Sequence, residues 1–194
     1  MGVIDATARL KREMRARMRA EREALGENRR TAAREGLTAR LGDLVAERGA
    51  RSLSCFLPTR DEPDVRGFLE WARDEGVETL LPSAREDGLL EWIHPSGAEV
   101  RRGAFGIDEP LGERLGPSAV DGVDLMLVPA AAVDLRGNRL GWGRGYFDRC
   151  LAALVDPPPV FAVVFEHELV DRVPIEPHDA PVAGAVTPER IVVF

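Results

Sequence analysis

An apolar run, Leu125, Met126, Leu127 and Val128, stops at Pro129, and soon afterwards the chain enters a loop made largely of glycine and arginine. The loop reads Gly137, Asn138, Arg139, Leu140, Gly141, Trp142, Gly143, Arg144, Gly145. Tyr146, Phe147, Asp148 and Arg149 follow, and Phe147, Leu151 and Leu154 recur at helical spacing. The order is strand, glycine loop, helix, which restricts the chain to an α/β architecture. Glycines at every second position let the backbone approach a ligand closely, and the N-terminus of the following helix offers free N–H groups to an anion. Arg139 and Arg144 add side-chain charge to the same loop. These residues suit the binding of phosphate.

The spacing is not that of the two commonest phosphate turns. A dinucleotide fingerprint needs G-x-G-x-x-G, whereas Gly141, Gly143 and Gly145 give G-x-G-x-G. A P-loop ends in Gly-Lys-Ser/Thr, which is absent. The competing interpretation is a flexible crossing loop without a ligand. Two arginines, two aromatics and an aspartate at the helix start weigh against it.

The rest of the chain alternates helical and strand patterns. A helix is expected over residues 7–25, where Leu10, Met14 and Met18 form an i, i+4, i+8 stripe. Lys11 and Arg15 lie one turn apart beside that stripe and could jointly hold a polyphosphate, although a solvated basic face is the simpler reading of the helix alone. A second helix is expected over 30–47, stopped by Gly49, then a strand over 52–57 and a turn over 58–63. Asp64 is the expected N-cap of a third helix carrying Val65, Phe68, Leu69 and Ala72. Further strands are expected over 77–81, ended by Pro82, and over 89–93, while 97–122 reads as a long irregular connection. After a rigid connector at 157–159 come a strand over 160–165, a short helix over 166–170, a proline-framed polar segment over 173–179 and an edge strand over 191–193. Strands interleaved with helices imply an α/β fold with a mostly parallel sheet covered on both faces. Loops at the carboxyl ends of such strands gather at one cleft, so the turn bearing Glu62 and the glycine loop are expected to face each other.

Length and charge narrow the class. The 194 residues suit one domain that buries roughly 70% of the unfolded chain's surface. A net charge of -7 and a pI near 5.1 argue against a nucleic-acid-binding domain. Cys55 and Cys150 lack a C-x-x-C partner and read as reduced, buried thiols. Without an apolar targeting segment or a membrane-length apolar run, a cytoplasmic protein is expected, with neither nucleic acid nor membrane as partner; a monomer acting on small molecules is a separate expectation, not drawn from these features.

The run Arg139, Leu140, Gly141, Trp142, Gly143, Arg144, Gly145, Tyr146, Phe147, Asp148 resembles the signature of the 5-formyltetrahydrofolate cyclo-ligases, also called methenyltetrahydrofolate synthetases. Val128-Pro129 and Gly137-Asn138 fit it too, as do Lys11 with Arg15, Leu57 with Glu62, the stretch from Gly103 through Glu109-Pro110, and the proline-framed segment ending at Asp179. Phe147 stands where a second tyrosine is usual, and the threonine usual a few residues after Glu62 is missing.

The resemblance implies a single three-layer α/β/α domain over 1–194, of the NagB/RpiA/CoA-transferase type. It also implies ATP- and Mg²⁺-dependent cyclisation of 5-formyltetrahydrofolate to 5,10-methenyltetrahydrofolate. Lys11, Arg15, Arg139, Leu140, Gly141, Trp142, Gly143, Arg144, Gly145, Tyr146 and Phe147 would then contact ATP. Leu57, Glu62 and Phe105 would join Trp142, Gly143, Arg144, Gly145 and Tyr146 around the folate. Arg144 and Tyr146 would lie at the reacting formyl group, and Asp148 and Asp179 would hold the magnesium ion. The alternatives are a folate-binding paralogue without turnover, an ATP-dependent enzyme of the same fold with another substrate, and, more distantly, a nucleic-acid module using the basic first helix.

Overall fold

The computed structural model describes residues 3–103, 106, 108–176 and 179–194. Three α-helices precede or flank the first strands: α1 (Val3–Glu23), α2 (Glu27–Arg48) and α3 (Arg66–Asp74). Strands β1 (Ser52–Ser54), β2 (Glu78–Ala84), β3 (Leu90–Arg102), β4 (Asp108–Leu115) and β5 (Leu125–Pro129) form the first half of the sheet. After β6 (Ala132–Asp134) and β7 (Arg139–Leu140) come α4 (Tyr146–Ala153), β8 (Val160–Val163), β9 (Leu169–Val170), β10 (Gly184–Val186) and β11 (Ile191–Val193). The main sheet runs β11-β10-β8-β5-β1-β2-β3-β4, and β7-β6-β9 make a second, smaller one. The five central strands β10, β8, β5, β1 and β2 are mutually parallel; β3, β4 and β11 are added antiparallel at the two edges.

The centre of the sheet explains the apolar run at 125–128. Leu125 and Leu127 face a core filled by Leu37, Leu41 and Leu44 of α2 and Phe68 and Ala72 of α3. Met126 and Val128 face the opposite core with Cys150 and Leu151 of α4 and Val120 of the 3-10 turn Pro117–Gly122. A strand buried on both faces has no polar side, so every one of its residues is apolar. Helices therefore cover both faces of a mostly parallel sheet. Helix α1 lies over the small sheet, where Met18 packs with Ala131, Ala132, Leu140 and Val173. Gly49 ends α2 in the left-handed conformation at φ 61°, and the N–H groups of Gly49 and Ala50 close on the carbonyls of Ala46 and Val45.

Three local expectations are corrected. Most of the stretch 97–122 is ordered as the outer part of β3, then β4 and a 3-10 turn, not as an irregular connection. Beyond Ile93 most of both strands is exposed, and a hairpin solvated on both faces has no alternation to reveal it. Pro82 does not end its strand. At Pro82 the strand has already left its ladder with β1 and pairs only with β3, so a residue without an N–H is tolerated as at a sheet edge. The stretch 166–170 is a 3-10 turn, Glu166–Glu168, running into β9 rather than a helix. In addition, α3 has Val65 at its cap position, although Asp64 still accepts the Arg66 N–H at 3.1 Å.

The connectivity locates the ligand cleft. From β1 the chain proceeds outward through β2, whereas from its neighbour β5 it proceeds the other way, through β8 and β10. The loops leaving the carboxyl ends of β1 and β5 therefore diverge, and the crevice between them is where α/β sheets bind ligands.

Candidate functional site

The cleft is built from those loops. Phe56, Leu57, Thr59 and Glu62 follow β1 and form one wall, and Pro82, Ala84, Leu90 and Glu109 come from β2 and the hairpin arm. Pro129 ends β5 beneath the cleft, and Arg139, Gly141, Trp142, Arg144, Gly145, Tyr146, Phe147 and Asp148 complete it from the glycine loop and the first turn of α4. The turn 58–63 and the glycine loop thus face one space. Phe105 lies outside the described residues.

The glycine loop has the shape its composition suggests. Gly143 and Gly145 have φ 95° and 69°, which side chains disfavour, and Gly145 is the residue from which α4 starts. A Cβ at position 143 would meet the Cζ of Arg15 at 3.4 Å. Arg15 reaches into the loop from α1 and donates from Nε to the Gly141 carbonyl at 2.7 Å. Burial lowers the Arg15 pKa, while Asp179, Asp148 and Glu176 act in the opposite direction. Arg139, 3% exposed, donates to the Asp148 carboxylate across the first turn of the helix. Leu140 does not line the cleft; it packs into the core under α1.

A second set of charges adjoins the first. The Lys11 ammonium donates to Glu176 at 2.7 Å and to Asp179 at 2.6 Å, and the Glu176 N–H donates to Asp179 at 2.7 Å. Lys11, Arg15 and Arg139 thereby meet Asp148, Glu176 and Asp179 beside the glycine loop. The two proposed metal ligands, Asp148 and Asp179, are each held by a cation of this set. Among the described residues no group of three or more His, Cys, Asp or Glu side chains is arranged to enclose a metal. Asp148 and Asp179 are carboxylates of the kind through which Mg²⁺ binds while keeping several waters and sharing substrate phosphates.

Other carboxylates have structural partners. Glu62 accepts the N–H and hydroxyl of Thr59 at 2.8 and 2.9 Å, so it closes its own turn at the cleft edge. Glu109, which the sequence reading did not single out as a site residue, is 5% exposed in the cleft wall and accepts Ser83 Oγ at 2.8 Å and the guanidinium groups of Arg101 and Arg114. Glu176 was also missed; its only sequence signal is its place in the proline-framed segment. A further missed residue, Asp134, is fully buried and organises the approach to the loop. It accepts the N–H groups of Arg136, Asn138 and Val173 and the Asn138 amide, joining the turn before Arg139 to the segment that leads to Asp179. On the other side of α4, the Tyr146 hydroxyl donates to the Arg85 carbonyl at 3.3 Å and Arg149 donates to the Gly88 carbonyl at 2.8 Å, fixing the cleft's outer lip.

Comparison with known proteins follows the same direction. The profile of the 5-formyltetrahydrofolate cyclo-ligase family matches residues 7–188. The chain is similar to a 5-formyltetrahydrofolate cyclo-ligase of Mycolicibacterium smegmatis, at 35% identity over 182 residues that cover 89% of this chain and 94% of that one. It is also similar to one of Mus musculus, at 24% identity over 184 residues, 89% of this chain and 90% of the other. A solved structure of Aquifex aeolicus 5,10-methenyltetrahydrofolate synthetase has a TM-score of 0.79 to it, with 30% identity across 95% of this chain and 92% of that one. A 5,10-methenyltetrahydrofolate synthetase of Mycoplasma pneumoniae shares the fold, with a TM-score of 0.74 at 19% identity over 92% of this chain and 99% of that one.

Proposed function

The chain belongs to the 5-formyltetrahydrofolate cyclo-ligase family, a family of ligases, and from that premise we propose that it couples ATP consumption to ring closure. The reaction is the Mg²⁺-dependent cyclisation of 5-formyltetrahydrofolate to 5,10-methenyltetrahydrofolate, with release of ADP and phosphate. The observation that carries this reading is the meeting of two unlike surfaces at the glycine loop. One is an apolar, aromatic cleft with Phe56, Leu57, Tyr146 and Phe147 in its walls, suited to a flat heterocycle. The other is the row of Lys11, Arg15 and Arg139 beside the amino end of α4, suited to a polyphosphate.

The chemistry requires both surfaces at once. A formamide oxygen is a poor leaving group, so it first attacks the γ-phosphorus of ATP and ADP departs. The N10 lone pair then attacks the activated formyl carbon, the carbon–oxygen bond breaks, phosphate leaves and N10 loses its proton. Phosphoryl transfer depends on positioning and charge neutralisation more than on protein nucleophiles. Lys11 and Arg15 would neutralise phosphate from the α1 side, and Arg139 with the loop amides from the other. Arg144 and Tyr146 would orient the formyl group at the cleft mouth, with Leu57, Glu62 and Trp142 along the folate. Asp148 and Asp179 would hold Mg²⁺, whose charge, when bound, disperses that of the transferring phosphoryl group. No helix among the described residues is long and apolar enough to cross a membrane. In this reading the chain works as a cytoplasmic monomer on small molecules.

The test is the near-ultraviolet absorbance of the protein with 5-formyltetrahydrofolate, ATP and Mg²⁺, since only the conjugated methenyl product absorbs there. A rise that needs both ATP and Mg²⁺ is the expected result. A flat trace with folate bound would leave a non-catalytic folate binder, and a flat trace without folate binding would overturn the substrate.

A further inference from the structure

One buried ion pair has no part in the chemistry proposed above. Arg22, in the last turn of α1, is 1% exposed, and Glu168, in the 3-10 turn after β8, is 0% exposed. Arg22 donates from Nε and Nη2 to the two carboxylate oxygens of Glu168 at 2.5 and 2.9 Å, and Nη2 also donates to the Ala130 carbonyl at 2.8 Å. Glu168 accepts the Phe165 N–H at 2.8 Å as well. Removing two charges from water offsets most of what such a pair gains, so buried pairs contribute little net stability. Its location indicates a different contribution.

The Cζ of Arg22 lies 4.6 Å from the ring centroid of Trp142, with Arg19 at 5.6 Å from the same ring. Trp142 belongs to the glycine loop and lines the cleft. Its indole Nε1 is buried without a hydrogen-bond partner among the described residues, so no polar contact at that atom sets its orientation. The residues on both sides of it are glycines, and the following one has φ 95°. A backbone that permissive needs restraint from outside the loop to keep one shape. The guanidinium supplies it: it lies over the indole ring and is locked by the carboxylate of Glu168 and the carbonyl of Ala130.

We infer that Arg22, clamped by Glu168, is a positioning residue that fixes Trp142 and through it the glycine loop in the shape that receives substrate. For the identity of that substrate the inference rests on the reading above. Arg22→Met combined with Glu168→Met removes both charges together and leaves neither one buried alone. Arg22→Lys keeps the charge but not the flat fork.

The double variant is expected to unfold in urea at a midpoint close to that of the parent. Its kcat/KM for ATP should nevertheless fall by roughly ten- to a hundredfold, the scale of a small misplacement of a reacting group. Trp142, measured as the difference between each protein and its Trp142→Phe counterpart, should become more accessible to acrylamide quenching. Trp142→Leu should lower kcat/KM similarly, and adding the pair replacement to it should cost little more. Parent-like ATP kinetics with unchanged quenching in the folded double variant would overturn the inference, as would losses that multiply in the triple variant. If the double variant does not fold, Arg22→Lys decides by the same two measurements, with parent-like values in both again overturning it. A parent protein without formylfolate turnover would sink the substrate reading, while the quenching experiment would still test the clamp.

Discussion

Arg15 of α1 donates to the backbone carbonyl of Gly141 at 2.7 Å, so the side chain proposed to meet a phosphate also holds the loop that would cradle it. Binding and shape would therefore be coupled at this position. A charge-assisted hydrogen bond contributes about 1.5–3 kcal/mol. Arg15→Ala is expected to raise the KM for ATP by roughly ten- to a hundredfold, and Arg15→Lys to recover only part of it. Initial rates across an ATP titration distinguish this from a fall in kcat alone.

Lys11 neutralises Glu176 and Asp179 together, and all three side chains are largely buried. Lys11→Met leaves two adjacent carboxylates without that cation, at a cost of roughly 2–4 kcal/mol given that the carboxylates keep some contact with water. A urea midpoint clearly below that of the parent is the expected outcome, and adding Asp179→Asn should recover part of the loss. An unchanged midpoint would mean that the triad contributes nothing to the fold.

Asp148 is the residue on which stability and turnover should separate. Asp148→Asn keeps an oxygen for the Arg139 guanidinium but loses the charge that would face Mg²⁺. Turnover should drop by roughly a hundredfold or more, the scale of losing an electrostatic group at a reacting centre, a much larger effect than the modest fall in melting temperature expected from leaving the buried Arg139 guanidinium with a neutral acceptor. Full activity of this variant at saturating Mg²⁺ would remove Asp148 from the metal.

Asp134 sets part of the acid limit of stability. Burial pushes its pKa upward, but the hydrogen bonds from Asn138, Val173 and Arg136 outweigh burial and hold it below the ordinary value of 3.8. Its contribution is therefore complete above pH 3.8 and lost as pH falls through the lower folded value. Asp134→Asn should cost about 1–3 kcal/mol at neutral pH and flatten stability against pH below 4, as read by urea melts at successive pH values.

The thiols should be silent in the native state. Burial pushes Cys55 up to about 12, and burial with the nearby Asp121 charge pushes Cys150 up to about 11. A disulfide exchange reagent at pH 8 should label neither until urea exposes them, because only the thiolate reacts. Prompt labelling of Cys150 would indicate that α4 opens readily.

Legibility in the sequence followed burial. Strand β5 is buried on both faces, so its run of apolar residues was unmistakable, and the glycine loop declared itself by composition. The hairpin of β3 and β4 did not, because most of its outer residues meet water on both faces and leave no period to detect. Glu109, on that arm, was legible only as part of a stretch resembling the family, and its place in the cleft wall was hidden for the same reason. β10 was hidden among small residues: Gly184 pairs so closely that a Cβ there would meet the Val192 carbonyl at 2.4 Å, and such a residue carries no strand signal. Asp134 looked like one polar residue in a turn: four of its five hydrogen bonds are local, from Arg136 and Asn138, and the fifth, which ties the turn to a distant segment, comes from Val173.

The strand order also governs how this protein comes into being. The bond from Lys11 to Asp179 joins positions 168 apart, and the one from Ser52 to Asp124 at the entry to β1 and β5 joins positions 72 apart. Closing such distances costs chain entropy before any contact repays it, which makes parallel sheets slow to assemble. No contiguous fragment ending before residue 179 can hold both ends of the charged row, so that row forms only after the segment bearing Asp179 has been made. Under the proposed function, affinity for nucleotide would then arise together with that row, and a ligand that binds only the folded state would stabilise it by mass action.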